Sequence, residues 1–134
     1  MARGRILAKS LGSSRKFSEL LTTAEGLGEF AQALYMLVVS NADDFGRLSG
    51  DAFSVKYAVF PTSQRPERDF DLALSAMARV GLVKRYQTET HGTVIEIEQW
   101  DRHQLGLHKR TQSRFPAPSG TSGNVPEVPP ELKG

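Results

Sequence analysis

Three side chains that bind metals well stand close together late in the chain: Asp101, His103 and His108, in WDRHQLGLHKRTQSRFP at residues 100–116. A zinc-type site on a helix takes ligands one turn apart, as the two histidines of H-E-x-x-H provide. Here Gly106 interrupts the histidines, their spacing is not i, i+4, and the chain holds only 3 histidines and no cysteine. No metal is expected. Other catalytic sets are also incomplete. Asp43-Asp44 has the charge to hold Mg²⁺, but it precedes Phe45-Gly46 and reads as a turn. Ser13-Ser14 has no nearby histidine to activate it. Gly26 and Gly28 lack the third glycine and preceding strand of a dinucleotide loop, and no P-loop lysine pattern occurs. The absence of cysteine removes disulfides and thiolate chemistry. Neither catalysis nor a cofactor is expected.

The same late stretch offers a second chemistry. Lys109, Arg110, Thr111, Ser113 and Arg114 all donate to phosphate oxygens, and no acid interrupts residues 102–126. Phe115 can anchor this segment to the body or stack on an unpaired base. The charge distribution points the same way. Residues 1–16 carry Arg3, Arg5, Lys9, Arg15 and Lys16 with no acid, for +5. Residues 17–98 hold 7 basic and 12 acidic side chains, for −5, and residues 99–134 hold 5 and 3, for +2. Basic flanks on an acidic body are an electrostatic footprint for nucleic acid, although ordinary solvated ends account for the same charges.

Periodicity and punctuation define the elements that position these groups. FSELLTTAE at 17–25 is a short first turn or helix, and Thr22 with Glu25 has capping-box spacing for a helix start. Leu27, Phe30, Leu34, Leu37 and Val38 then mark the apolar face of a helix that ends near Asn41, where NADDFG supplies turn residues and Gly46 takes a positive φ. RLSGD leaves room for a strand of about three residues. Asp51 caps the next helix, DAFSVKYAVF, which stops before Pro61. Pro66 opens a further helix whose apolar side is Phe70, Ala73, Leu74, Met77 and Val80, and Gly81 closes it. LVKRYQTET and TVIEIEQW form a hairpin about His91-Gly92. A two-residue turn there sets Thr88 against Ile95, Tyr86 against Ile97, Lys84 against Gln99, Arg85 against Glu98 and Gln87 against Glu96. From Pro116 onward the chain has five of its seven prolines and little core material, which reads as an extended tail.

Helix, short strand, helix, turn, helix and hairpin is the order of a winged helix-turn-helix: an α+β fold of three helices plus a β-hairpin wing. It is flanked by a basic N-terminal arm (1–16), a basic post-wing segment (101–116) and a proline-rich tail (117–134). ADDFGRL at 42–48, MARVGLVKRY at 77–86, IEIEQWDRHQ at 95–104 and KRTQSRFP at 109–116 resemble the N-terminal part of phage replisome-organiser proteins related to the primosome component DnaD. The resemblance covers roughly residues 15–130 and is most specific in the hairpin and the W-x-x-H-Q and K-R-T-x-S-R-F-P runs. It implies a winged helix that binds DNA and helps assemble a replication-initiation complex, often as an oligomer, with a helicase or helicase loader among its partners. Many relatives continue into a helical C-terminal domain, and this sequence ends in what would be the linker.

On the body, Arg65 and Arg68 stand at the start of the last helix beside Glu67, Asp69 and Asp71, and Lys84 lies on the wing with no acid expected opposite it. With Lys109, Arg110 and Arg114 behind the wing, and Arg3, Arg5, Arg15 and Lys16 in the arm, they make the expected set of phosphate contacts. The wing tip TETHGT carries neither lysine nor arginine. A protein-interaction or oligomerisation module, or a small transcriptional regulator, fits the same architecture. No run is long enough to span a bilayer and no signal-peptide core follows the first arginines, so a cytoplasmic protein is expected.

Overall fold

A computed structural model of the chain describes residues 14–100 and 115–118. It is an α+β fold of four helices and one three-stranded antiparallel sheet, in the order α1 (Arg15–Thr23), α2 (Gly28–Asn41), β1 (Arg47–Ser49), α3 (Ala52–Ala58), α4 (Glu67–Val80), β2 (Val83–Thr88) and β3 (Gly92–Ile97). That order is compatible with a winged helix. Among the described residues, no helix is long and apolar enough to cross a membrane.

The helix count corrects the sequence expectation of three. The segment read as a turn or short helix is a full helix, and it begins inside the stretch assigned to the basic arm. Ser14 caps α1, its hydroxyl accepting from the Phe17 amide at 3.4 Å. Arg15 and Lys16 are therefore helical, while Phe17 and Leu20 turn inward. The Thr22–Glu25 capping box does not form. Thr22 lies within α1 and its hydroxyl returns to the Glu19 carbonyl at 3.3 Å, whereas α2 starts after Leu27 with no side-chain cap. Gly28 lets the two helices close: a Cβ there would lie 2.6 Å from the Leu21 Cα.

The core gathers Leu20, Leu34, Val38, Val55, Phe70, Leu74, Met77 and Ile95, all fully buried. Expected caps and stops are present. The Asp51 carboxylate accepts from the Ser54 amide at 2.9 Å at the head of α3. α4 ends at Gly81 with φ 91°. Pro66 differs by one position: it is the N-cap of α4 rather than its first residue. Gly46 satisfies two demands. Its φ is 78°, and a Cβ on it would meet the Trp100 ring at 2.7 Å. The Trp100 indole in turn donates to the Asp44 carbonyl at 2.8 Å, so the turn after α2 and the end of the hairpin lock together.

The sheet order is β1-β3-β2, and its register differs from the expected one. Thr88 pairs with Gly92 rather than Ile95, Arg85 with Ile95, Tyr86 with Val94, and Lys84 with Glu96. The connection is Glu89-Thr90-His91, closed by Gly92 at φ 64°, and the Thr88 hydroxyl accepts from the His91 amide at 2.9 Å. A three-residue loop followed by a left-handed glycine uses the same His-Gly pair as the two-residue turn would. The three-residue slip is odd, so it exchanges the faces of β2 relative to β3. Arg85 moves to the helix side, and the anticipated pairing with Glu98 does not arise.

Candidate nucleic-acid interface

Arg85 now stands between the sheet and the helices. Its guanidinium donates to the Asp71 carboxylate at 2.8 Å and the Ser75 hydroxyl at 3.1 Å on α4, and its Nε donates to the Gly50 carbonyl at 2.9 Å. The Arg85 side chain is only 17% exposed, whereas Asp71 is 57% exposed. One side chain thus fixes the angle between hairpin and α4. Asp51 feels the same arginine. Burial pushes its carboxyl up, but hydrogen bonds from Ser54 and its own amide, with the Arg85 charge, together hold it below the usual carboxylate value.

The open stripe of α4 is Arg68, Asp71, Leu72, Ser75 and Arg79. Residues four, three and four apart share one helix face. Arg68 and Arg79 are exposed and, among the described residues, form no ion pair, and they stand about 16 Å apart along the axis at ~1.5 Å per residue. Arg79 was not among the expected contacts, although its 11-residue interval from Arg68, three helical turns, is the signal that reveals it. Arg65 is differently placed. It pairs with Asp69 at 3.1 Å and lies over the Phe30 ring at 4.9 Å, so its cation is partly committed to the body. Lys56, also overlooked, donates to the Ser63 and Arg65 carbonyls at 3.2 and 2.6 Å and fastens the turn between α3 and α4.

On the outer face of the sheet Arg47, Glu96 and Lys84 form one cross-strand row, with the carboxylate on the central strand. Glu96 accepts from Arg47 Nε at 2.8 Å. Lys84 therefore does have an acid opposite it, contrary to expectation, yet it remains exposed beside a carboxylate already held by Arg47. The next row is Ser49, Val94 and Tyr86. Val94 is fully buried although it points away from the helices, because residues 115–116 cross this face. Arg47 Nη1 donates to the Phe115 carbonyl at 2.9 Å and the Tyr86 hydroxyl to the Pro116 carbonyl at 2.6 Å. The Phe115 ring, 7% exposed, meets His91 edge-on at 5.7 Å. Phe115 is thus an anchor, one of its two anticipated roles. Burial raises the Tyr86 hydroxyl well above the usual tyrosine value; Arg47 opposes the shift, and the Glu96 and Asp43 carboxylates add to it.

Two arm residues turn out to serve the body. Lys16 Nζ donates to the Gly81 carbonyl at 3.2 Å, a cation at the C-terminal end of α4. Arg15 approaches Glu19 at 4.0 Å with its side chain 91% exposed. Arg3, Arg5, Lys109, Arg110 and Arg114 lie outside the described residues, as do Asp101, His103 and His108. Asp43 is turn chemistry: its carboxylate accepts from the Phe45 and Arg47 amides at 2.8 and 3.0 Å. Among the described residues, no group of three potential metal ligands converges.

Of the described cations, Arg68 and Arg79 on α4, Lys84 on the sheet and Arg15 on α1 are exposed and make no ion pair closer than 4.0 Å among the described residues, with Glu67 nearby and Asp71 already engaged by Arg85. These four cations outnumber Glu67, the exposed acid beside Arg68. Such a surface is suited to backbone contact more than to sequence readout. No family model, curated protein or solved structure matches the chain.

Proposed function

We propose that this chain is a winged-helix DNA-binding protein of the phage replisome-organiser kind, acting in assembly of a replication-initiation complex. In this reading α3 and α4 are the helix-turn-helix, β2–β3 is the wing, and DNA is held mainly through its phosphates. One observation carries the reading. The basic run Arg102, Lys109, Arg110 and Arg114 is bracketed in sequence by two buried aromatic residues, Trp100 and Phe115, both seated at the sheet. Fixed points on either side of a basic run lower the entropy lost when its cations engage a polyanion. Arg68, Arg79 and Lys84 add charge from the body, and Arg3 and Arg5 lie upstream of α1 for a second grip. The resemblance to replisome organisers in the W-x-x-H-Q and K-R-T-x-S-R-F-P runs supports the process, with a helicase or its loader and further copies of the chain as partners.

Fluorescence anisotropy with a labelled random-sequence duplex tests this. If Lys109, Arg110 and Arg114 each meet one phosphate, their share of the salt dependence is a log–log slope near −3, from roughly −0.9 per phosphate. Lys109→Glu with Arg110→Glu should weaken binding strongly at moderate salt and flatten that slope while leaving the thermal midpoint in place. Unchanged affinity refutes the assignment. The rival reading, a protein-interaction module, draws on Leu21 and Leu72, 47% and 50% exposed. Sedimentation showing self-association without any duplex-dependent shift favours that rival.

A further inference from the structure

Leu72 is 50% exposed on α4 and stands outside the hydrophobic core. A lone exposed leucine is ordinary on a protein surface, but the neighbours of this one are not. At about 100° per residue, Arg68, Leu72 and Arg79 fall within about 40° of one another around the helix. Leu72 lies about 6 Å along the axis from Arg68 and about 10 Å from Arg79. Both arginines are exposed and, among the described residues, form no ion pair.

The polar groups on either flank are already engaged. Ser75 and Asp71 on one side both accept from Arg85, at 3.1 and 2.8 Å. Asp69 on the other side holds Arg65 at 3.1 Å. Glu67 lies about 140° around the helix from Leu72. The two aspartates that would repel a polyanion therefore each face an arginine, while Arg68 and Arg79 keep their charge for it. A phosphate backbone complements such a stripe. An apolar protein face does not, because it would bury two guanidinium groups without counter-ions.

A major groove about 12 Å wide admits an α-helix, and its floor offers amino groups, carbonyl and ring-nitrogen acceptors, and the thymine C5-methyl. Laid on the polar edges, a leucine displaces water and returns no hydrogen bond. The methyl alone gains from the contact. Arg68 and Arg79 stand about 16 Å apart, so a helix crossing the groove with Leu72 on the floor carries one arginine to each wall.

We infer that Leu72 reads thymine by packing on its C5-methyl, centred in the major groove by Arg68 and Arg79 on phosphates of opposite strands; this rests on the duplex-binding reading of the chain. The contact adds a preference for A·T pairs to an interface otherwise made of phosphate contacts.

A homopolymer duplex of adenine and thymine presents the methyl in every register. Anisotropy titrations of the full chain should compare it with the same duplex carrying uracil, which lacks only that methyl. Affinity for the thymine duplex should be about fourfold higher, the worth of one buried methylene. Leu72→Ser should abolish the difference and leave affinity for the uracil duplex in place. Arg68→Ala and Arg79→Ala should each weaken binding to both duplexes alike. Equal wild-type affinity for the two duplexes overturns the inference and leaves the DNA reading standing. A thymine preference that survives Leu72→Ser overturns it as well. Binding to neither duplex removes both readings. If Leu72→Ser weakens self-association in sedimentation and leaves the duplex ratio unchanged, the leucine belongs to a contact between copies instead.

Discussion

Replacing Arg85 with methionine keeps most of the aliphatic stem but removes every donor that joins the hairpin to the helices. The Gly50 carbonyl is left in a buried position without its partner, which costs about 1–3 kcal/mol. Loss of the Ser75 contact adds on the order of 0.5–1 kcal/mol. The Asp71 pair adds at most about 1 kcal/mol, because that carboxylate is 57% exposed and screened by water. Arg85→Met should therefore lower stability by roughly 2–4 kcal/mol, or a Tm fall on the order of 10–20 °C for a body of this size. Asp71→Asn alone should cost no more than about 1 kcal/mol. Denaturant titration of both single variants and the double variant gives the coupling directly. An Arg85→Met cost below about 1 kcal/mol would refute the reasoning, as would an equal cost for Asp71→Asn. Arg85 would then be an ordinary surface ion pair, and the hairpin would be held by packing alone.

Gly46→Ala should destabilise by about 2–4 kcal/mol, because it combines a strained φ of 78° with a 2.7 Å approach to Trp100. A red-shifted emission of that single tryptophan should accompany the lower denaturant midpoint. Asp51 is held below its unfolded pKa, so its contribution is present above about pH 4 and fades as pH falls through the folded value. The penalty for Asp51→Ala, measured by urea unfolding, should shrink accordingly between about pH 7 and about pH 3. Tyr86 has the opposite sign: its folded value is raised, so its contribution is complete below about pH 10 and is lost as pH climbs through the folded value. Tyr86→Phe should cost about 1 kcal/mol near neutrality and flatten the alkaline loss of stability seen in thermal scans.

Much of the architecture is written locally. Asp51, Gly46 and Gly81 act where caps, turns and stops need such residues, and the apolar residues of α4 recur at helical spacing. Failures came where a distant partner decides the outcome. The strand pattern around Val94-Ile95 is apolar on both sides, which looks ambiguous until the chain returns at Phe115 to cover the outer one. Tyr86 faces outward because the Pro116 carbonyl receives its hydroxyl, and Arg85 faces inward because Asp71, Ser75 and Gly50 receive its guanidinium. Neither set of acceptors is visible from the hairpin's own sequence. The interface was legible in part. Arg68 and Lys84 are exposed, but Lys16 is spent on the Gly81 carbonyl and Arg65 is shared with Asp69 and Phe30. A cation's position in the chain carries no mark of such commitments.

The crossing of Phe115 and Pro116 over the sheet redraws where this folding unit stops. A gene fragment trimmed after Trp100 would look complete by its helices and strands, yet it would lay Val94 open to water and strand the Arg47 and Tyr86 donors aimed at missing carbonyls. Such a fragment would offer a greasy flank to its neighbours, and its aggregation would say nothing about the native molecule. Useful shortened versions should keep the chain through Pro118.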